Sequence, residues 1–304
     1  MYDIVIIGGG AAGMTAALYA LRANKTVMVL EKNSFGGQIA YSPKVENFPG
    51  TESMSGNDFA DRLLSQILNL GAQFDIVSVT GIRDHGTHKT VTTLDGTAYD
   101  AGSVIIAVGA KHRHLSVPGE LELAGKGICY CAVCDGDFYR GKKVAMVGGG
   151  NTALQEAIFL ADVCEEVTII QNLDYFTAEE RLLHSLNKNS NVRSILGCQV
   201  SAIQGADDGQ LLVHVRPNNA QEDLSLLLDG LFVAIGLEPE NDFFSDIAQL
   251  DAYGYIVSDE RCLTKTPGVF VAGDCRSKDI RQLTTAVSDG TVAAVAACRF
   301  LACH

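Results

Sequence analysis

Two cysteines separated by two residues are the strongest candidates for chemistry in this sequence. They are Cys131 and Cys134, in the run Cys129-Tyr-Cys131-Ala-Val-Cys134-Asp135-Gly136. A Cys-x-x-Cys pair can close a small disulfide loop, and its thiols can have lowered pKa values that suit thiol–disulfide exchange. We therefore interpret the pair as a redox dithiol.

Zinc is the competing ligand for such a pair. Tetrahedral zinc usually needs a second Cys-x-x-Cys pair or closely spaced histidines, and the sequence contains neither downstream. We therefore expect no metal site. Cys129 is a third nearby thiol, which we interpret as a small buried hydrophobe. The other cysteines are scattered singly and are interpreted as structural: Cys164, Cys198, Cys262, Cys275, Cys298 and Cys303.

A glycine turn near the start of the chain is the second candidate site. Gly8-Gly-Gly10-Ala11-Ala12-Gly13 fits G-x-G-x-x-G, directly after a predicted strand and before a predicted helix. Glycines at these places allow a tight turn, a close approach to a pyrophosphate, and close packing of the helix on the strand. Glu31 closes the next predicted strand, where a carboxylate can accept hydrogen bonds from ribose hydroxyls. The pattern indicates a dinucleotide site; a plain tight turn is the alternative.

The elements that would position these residues occur twice. A buried strand, a glycine turn, a helix and a second buried strand span residues 3–31 and recur over residues 143–171. Each set is a candidate βαβ unit with parallel strands. Further buried strands are predicted at 104–108, 231–235 and 269–272. The fold class predicted is α/β, with two Rossmann-like domains.

The second domain is expected to be inserted into the first. Residues 112–125 and 236–241 have the composition of crossings between domains. The expected division is 1–114 for the first segment of the first domain, 115–241 for the inserted domain with the Cys-x-x-Cys pair, and 242–304 for the second segment.

Charge and hydrophobicity limit the class of partner. The 304 residues carry a net charge of −13, which argues against nucleic acid, whose binding depends on neutralisation of phosphates by Lys and Arg. The first predicted strand begins at Asp3, which leaves no room for a signal peptide, and no uninterrupted apolar stretch approaches the roughly 20 residues of a membrane span. We expect a cytoplasmic protein that does not bind a membrane.

At these residues the chain resembles the low-molecular-weight thioredoxin reductases over nearly its whole length. Beside the glycine turn and the Cys-x-x-Cys pair, the shared landmarks are Gly36-Gly37-Gln38, Val45-Glu-Asn47-Phe-Pro-Gly50, Gly109-Ala-Lys-His-Arg113, Val117-Pro-Gly-Glu120, Gly148-Gly-Gly-Asn-Thr-Ala153, Gly268-Val-Phe-Val-Ala-Gly273-Asp274 and Arg281-Gln282. The resemblance implies an FAD-binding domain in two segments, an inserted pyridine-nucleotide-type domain, and a homodimer.

The resemblance also implies roles for individual residues. Cys134 matches the thiol nearest the flavin, Cys131 the thiol that attacks the disulfide of thioredoxin, and Asp135 the acid that moves protons during exchange; a solvated turn residue is the alternative for Asp135. The residues that the resemblance and the glycine turn together assign to FAD are Gly8, Gly10, Ala11, Ala12, Gly13, Glu31, Lys32, Gly37, Gln38, Asn47, Gly109, Gly273, Asp274, Arg281, Gln282 and Leu283.

The chain departs from the NADPH-dependent members of that family at one stretch. Where those members have arginines and a histidine that hold the 2′-phosphate, this sequence has Gln171, Asn172, Leu173 and Thr177. No carboxylate takes the strand-end place that NADH would favour. The pattern is similar to the branch of thioredoxin reductases that do not use NADPH, which predicts reduced ferredoxin as the electron donor and thioredoxin as the disulfide substrate. The alternatives are an NAD(P)H-dependent reductase, a diflavin disulfide oxidoreductase, or a non-catalytic redox-sensing flavoprotein.

Overall fold

Two compact units divide the chain. The computed structural model describes residues 1–42, 45–218 and 222–303. One unit is formed by Met1–Lys111 with Glu238–His304, and the other by His112–Leu237, so the second is an insertion in the first. The boundaries expected from the sequence, at 114/115 and 241/242, lie a few residues further along the chain.

The elements alternate between strand and helix in the order that the sequence predicts for nucleotide-binding domains. The strands are β1 Tyr2–Ile7, β2 Val27–Glu31, β3 Gln73–Ile76, β4 Val79–Asp84, β5 Lys89–Thr93, β6 Ala98–Ile106, β7 Ala110–His112, β8 Ile128–Cys129, β9 Lys143–Val147, β10 Glu166–Ile170, β11 Val192–Ile195, β12 Cys198–Gly205, β13 Leu211–Pro217, β14 Leu224–Leu228, β15 Gly230–Val233, β16 Leu237–Pro239 and β17 Val269–Val271. The helices are α1 Ala11–Arg22, α2 Gly56–Asn69, α3 Glu120–Leu123, α4 Ala132–Asp135, α5 Asn151–Val163, α6 Glu180–Leu186 and α7 Leu283–Cys303.

The first unit is built on a seven-stranded sheet. Its strands lie in the order β3-β2-β1-β6-β5-β4, and β17 also pairs with β6. The pairs β1–β2, β1–β6, β2–β3 and β17–β6 are parallel, whereas β4, β5 and β6 form antiparallel pairs. The carboxyl ends of β1, β2, β6 and β17 therefore meet at one edge, where ligands bind in sheets of this kind.

Strand β1, in the middle of this sheet, is buried on both faces. Ile4 and Ile6 pack with α1, α2 and α7 in one core, whereas Val5 and Ile7 pack in a second core on the opposite face. Parallel strands covered on both sides need apolar residues at every position, which explains the unbroken apolar run that follows Asp3.

Helix α7 packs against α1 rather closely. A Cβ at Gly290 would lie 2.2 Å from the Ala12 carbonyl oxygen, so glycine is needed at the contact. By length and composition α7 is also the one helix in the described ranges that could cross a membrane, which the sequence analysis did not anticipate. It contributes Ala293, Ala294 and Ala297 to the core of the first unit, as the core helix of a globular domain does. The absence of a membrane partner stays a prediction.

The second unit repeats the plan with a smaller sheet. Five parallel strands lie in the order β11-β10-β9-β15-β8. Helices α5 and α6 cover one face, and the antiparallel strands β12, β13 and β14 cover the other. The predicted α/β class with two Rossmann-like domains is confirmed.

Candidate functional site

The turn between β1 and α1 is made of glycines because its backbone segments approach too closely for side chains. Gly8 has φ +108°, and a Cβ there would lie 2.3 Å from the Ala107 carbonyl oxygen. A Cβ at Gly13 would lie 1.9 Å from the Gly8 carbonyl oxygen. At Gly10 the nearest atom would be the Gly36 carbonyl oxygen at 3.9 Å, so Gly10 borders open space.

Helix α1 begins at this open space. Its N-cap is Gly10 in an extended conformation, and glycine has no side chain to cap the first N–H groups of the helix, on Ala11, Ala12 and Gly13. These donors and the positive end of the helix dipole favour an anion such as a pyrophosphate.

A buried carboxylate lies beside the turn. Glu31 ends β2, and its Oε2 accepts a hydrogen bond from the Gly9 N–H at 2.7 Å, while its Oε1 accepts from the Asn33 N–H at 3.0 Å. A carboxylate has further lone pairs with which to accept hydrogen bonds from ribose hydroxyls. The neighbouring Lys32 forms an ion pair with Glu240.

Two more predicted segments lie next to the first turn. A Cβ at Gly37 would be 3.3 Å from the Gly10 Cα, because residues 36 and 10 form a parallel bridge. Gln38 follows in a short 3-10 helix, and its amide donates to the Ala110 carbonyl oxygen. Gly109, with φ +71°, precedes that acceptor and has nothing within 4 Å of where its Cβ would be.

Asp274 follows β17 and carries a buried oxygen in need of a partner. Its Oδ1 has no hydrogen-bond partner among the residues that the structure describes, and burial raises the pKa of the carboxyl. Gly273, with φ +81°, brings this turn against α1, since a Cβ there would lie 2.8 Å from that of Ala12. A buried acceptor without a donor costs stability unless a ligand supplies one.

The start of α7 meets residues from a distant part of the chain. The Arg281 guanidinium stacks on the Tyr255 ring at 4.0 Å and donates to the Asp274 carbonyl oxygen at 3.3 Å. The Gln282 side-chain oxygen accepts from the Asn47 amide at 3.5 Å. Leu283 begins the helix and packs in the core of the first unit. The residues predicted to bind FAD thus lie together in the first unit.

Sequence reasoning missed the residue that holds the Asp274 turn in place. Asp289 on α7 accepts hydrogen bonds from the Gly273 N–H at 3.0 Å, from Arg276 at 2.8 and 2.9 Å, and from Lys278 at 2.9 Å. Burial acts to raise the pKa of Asp289, but these cations hold it below its usual value. A lone aspartate inside an apolar helix was the signal that could have revealed it.

In the second unit, Cys131 and Cys134 form a disulfide across the single turn of α4. Cys131 is the N-cap of that helix, and its Sγ accepts a hydrogen bond from the Cys134 N–H at 3.2 Å. Between the two cysteines, Val133 is 49% exposed. The disulfide therefore lies in a turn that presents an apolar side chain to the surface.

Asp135 lies against the buried groups that flank the disulfide. Burial raises the pKa of Asp135 to about 6, and a hydrogen bond from Cys129 opposes part of that rise. Within the described ranges its Oδ1 has no hydrogen-bond partner. Burial likewise raises the pKa of Cys129 to about 12, and its Sγ lies 3.4 Å from the Tyr139 hydroxyl. A carboxyl that exchanges its proton near neutral pH suits proton transfer during thiol exchange, whereas Cys129 stays protonated.

A second carboxyl near the disulfide was also missed. The Glu156 Oε2 on α5 accepts a hydrogen bond from the Ala132 N–H at 3.2 Å. Glu156 lies three residues after Ala153 and four before Leu160, on the same face of the helix, and both of those residues are buried. A charged residue at helical spacing among apolar ones was the available signal.

The second glycine turn has the same backbone requirement as the first. Gly148 has φ +132°, and a Cβ there would lie 2.4 Å from the Ala234 carbonyl oxygen. Gly150 is the N-cap of α5, in an extended conformation like that of Gly10. The turn can thus be required by packing alone.

The side chains around the second turn differ from those around the first. A Cβ at Gly149 would lie 2.5 Å from the Gln171 amide, which takes the place that Glu31 has beside Gly9. Thr177 donates to the Gly149 carbonyl oxygen, from its N–H at 2.9 Å and from its hydroxyl at 3.3 Å. An uncharged amide and a hydroxyl therefore lie beside the second turn, whereas a carboxylate lies beside the first.

An acidic residue lies at the start of α5. The Glu179 carboxylate accepts from the Asn151 amide at 3.1 Å, and the Glu179 N–H donates to Asn151 at 2.8 Å. Asn151 is the first residue of the helix. The same carboxylate forms an ion pair with Arg181, which offsets its negative charge.

Comparison with known proteins identifies the family. The sequence profile described as "Pyridine nucleotide-disulphide oxidoreductase" matches residues 2–290. The chain belongs to this family. Among similar proteins, the "34.2 kDa protein in rubredoxin operon" of Clostridium pasteurianum is 43% identical over 98% of this chain and 97% of its own. A thioredoxin reductase of Listeria innocua is 39% identical over 96% of this chain and 92% of its own.

A solved structure of a related protein has the same fold. The crystal structure of thioredoxin reductase from Streptococcus pyogenes covers 100% of this chain and 99% of its own, with 37% identity and a TM-score of 0.94. This member of the pyridine nucleotide-disulphide oxidoreductases is a flavin-dependent disulfide oxidoreductase with FAD as its cofactor.

The first unit fits FAD in three independent ways. The open space at Gly10 and the uncapped N-terminus of α1 suit a pyrophosphate. Glu31 suits a ribose, and the orphaned Asp274 Oδ1 suits a hydroxyl donor of the cofactor. The individual FAD contacts and the catalytic roles stay predictions.

Replacement of Gly10 by valine should abolish FAD binding while leaving the fold intact. The protein itself leaves room for the side chain, but that room is where the pyrophosphate would pass. The flavin content of purified protein, read from its absorbance, measures the effect. Gly150→Val makes the matched change in the second turn and should retain full flavin. A fully yellow Gly10→Val protein would refute the assignment of the first turn.

Replacement of Asp135 by asparagine should remove a pH-dependent step from thiol exchange. With a pKa of about 6, the carboxyl changes protonation in the range where exchange is measured, and loss of general acid–base catalysis slows reactions by roughly 10²–10⁴-fold. The rate of disulfide reduction should fall and lose its bend near pH 6. Asp137→Asn, at an exposed residue paired with Arg140, is the control. A bend that persists in Asp135→Asn contradicts the role.

Proposed function

We propose that this enzyme is a thioredoxin-disulfide reductase that receives its electrons from reduced ferredoxin instead of NADPH. FAD would pass the electrons to the Cys131–Cys134 disulfide, and the resulting dithiol would reduce thioredoxin. The observation that carries the choice of donor is the second glycine turn, where Gln171 takes the place of a carboxylate and no cation is supplied by Asn172, Leu173 or Thr177.

Cys134, Cys131 and Asp135 would each carry out a different step of the reaction. Bound FAD supplies the exchange between single electrons and electron pairs. Cys134 takes the electron pair, which breaks the bond to Cys131 and leaves Cys131 free to attack the substrate disulfide. Asp135 moves the proton that each exchange step releases or consumes, in a site where burial keeps its pKa close to the working pH.

The missing cations make NADPH a poor donor. A hydrogen bond to a charged group is worth about 1.5–3 kcal/mol, and the loss of even one such contact weakens binding more than about tenfold. NADH lacks the 2′-phosphate, but Gln171 also removes the carboxylate that would favour its ribose.

Ferredoxin is energetically able to replace the nucleotide. A low-potential iron–sulfur donor near −400 mV lies about 130 mV below thioredoxin at about −270 mV, which corresponds to roughly 6 kcal/mol for two electrons. A protein donor needs no nucleotide pocket. A homodimer and a cytoplasmic location complete the proposal.

An NAD(P)H-dependent thioredoxin reductase or a diflavin-linked disulfide oxidoreductase is the second candidate. The retained second glycine turn and the relatives named thioredoxin reductase favour it. The identity of the electron donor separates it from the first candidate.

Anaerobic stopped-flow reduction of the bound flavin tests the donor directly. Reduced ferredoxin should bleach the flavin rapidly, whereas NADPH and NADH should bleach it slowly and without saturation, because neither Gln171 nor the stretch from Asn172 to Thr177 supplies the groups that would bind them. Fast, saturable bleaching at micromolar NADPH, which is an ordinary KM range, would return the chain to the NADPH-dependent group.

Restoring cations should recover part of the binding of NADPH. A triple variant with arginine at Asn172, Leu173 and Thr177 should lower the dissociation constant for NADPH by at least about tenfold, if one charged contact forms. A triple variant with glutamine at the same positions changes size without charge and is the control. Equal affinities in the two variants would show that the missing cations are not the cause.

A further inference from the structure

Glu156 is a partly buried carboxyl that contacts the backbone between the two cysteines. Its Oε2 accepts from the N–H of Ala132, the residue that directly follows Cys131. The hydrogen bond therefore fixes the orientation of the peptide that joins Cys131 to Ala132.

The environment of Glu156 makes its charge sensitive to nearby changes. Burial raises the pKa of Glu156 to about 7, the hydrogen bond from Ala132 opposes that rise, and the charge of Asp135 adds to it. The carboxyl is thus poised between its two protonation states near neutral pH. A new negative charge at the disulfide would move it toward the protonated state.

We propose that Glu156 is a positioning residue that holds the Cys131–Ala132 peptide and takes up a proton when the Cys131–Cys134 disulfide is reduced. The inference rests on the proposed role of these cysteines as the redox couple. Glu156 would then be a second proton carrier beside Asp135. It lies on α5, whereas Asp135 lies at the end of α4.

The chemistry balances with one proton stored at Glu156. Two electrons from the reduced flavin break the S–S bond; one sulfur takes a proton and the other remains a thiolate, the form that attacks a substrate disulfide. The thiolate charge strengthens the binding of a proton at Glu156. When the thiolate attacks the substrate and its charge leaves the turn, Glu156 gives the proton back.

The other titratable groups around α5 are less suited to take up this proton. Cys129 and Tyr139, on the neighbouring β8 and 3-10 turn, have pKa values raised by burial and keep their protons. Lys143 pairs with Glu165, Glu166 with Arg193, Arg181 with Glu179, and Asp137 with Arg140. Glu180 and His184 on α6 are exposed. Among the described residues, Asp135 is the group whose charge acts on Glu156.

A redox titration of the holoenzyme tests the proposal without any electron-donor protein. The enzyme is equilibrated with reduced and oxidised dithiothreitol at pH values on both sides of 7, and the fraction of reduced Cys131 and Cys134 is counted by alkylation and mass spectrometry. The dependence of the midpoint potential on pH gives the number of protons taken up per disulfide.

The variant Glu156→Gln separates the proton from the hydrogen bond. Its amide oxygen can still accept from the Ala132 N–H, but it cannot take up a proton. We expect it to fold and bind FAD normally, and to take up fewer protons than the wild type above pH 7, by up to about one proton per disulfide, the capacity of a single carboxyl. The exposed Glu165→Gln should match the wild type. Glu156→Asp, which keeps a carboxyl, should retain part of the uptake.

An equal pH dependence in the wild type and in Glu156→Gln would overturn the inference while leaving the redox couple intact. A wild-type disulfide that dithiothreitol cannot reduce at any pH would overturn the proposed function as well.

Discussion

The close approach of β1 to α1 is the constraint on which the rest of the first unit depends. A Cβ at Gly13 would lie 1.9 Å from the Gly8 carbonyl oxygen, so the strand and the helix can meet only through glycine. This contact directs the N-terminus of α1 toward the edge of the sheet where β17 also ends. Gly273 and Gly290 then let the Asp274 turn and α7 pack on the same helix. The predicted FAD site is formed by this packing.

In the second unit, the glycines of the turn meet the needs of packing, whereas the binding of a ligand depends on the side chains around the turn. Gly148 is needed because a Cβ would meet the Ala234 carbonyl oxygen, whether or not a nucleotide binds. The glycines of this turn therefore do not by themselves indicate a bound nucleotide. The chemistry of the ligand lies in side chains that packing leaves free to change, such as Gln171 and Thr177.

Much of this arrangement could be predicted from the sequence because it is local. The apolar runs, the glycine spacing and the Cys-x-x-Cys pair each lie within a few residues, and they indicate the fold class, the first glycine turn with Glu31, and the dithiol. The other candidate residues, such as Gln38 and Asn47, come from the resemblance to a known family. Asp289 and Glu156 could not be assigned in this way, because their partners lie far away in the chain and are brought close only by packing. The apolar composition of α7 is explained by its packing in the core of the first unit.

The central claim is that electrons leave the flavin through the Cys131–Cys134 disulfide. Photochemical reduction of the bound flavin under anaerobic conditions, with no nucleotide, ferredoxin or thioredoxin present, tests it most directly when it is followed by alkylation of the thiols. We expect the flavin to be reoxidised as two new thiols appear, and both thiols to map to Cys131 and Cys134. A flavin that stays reduced beside an intact disulfide would contradict it.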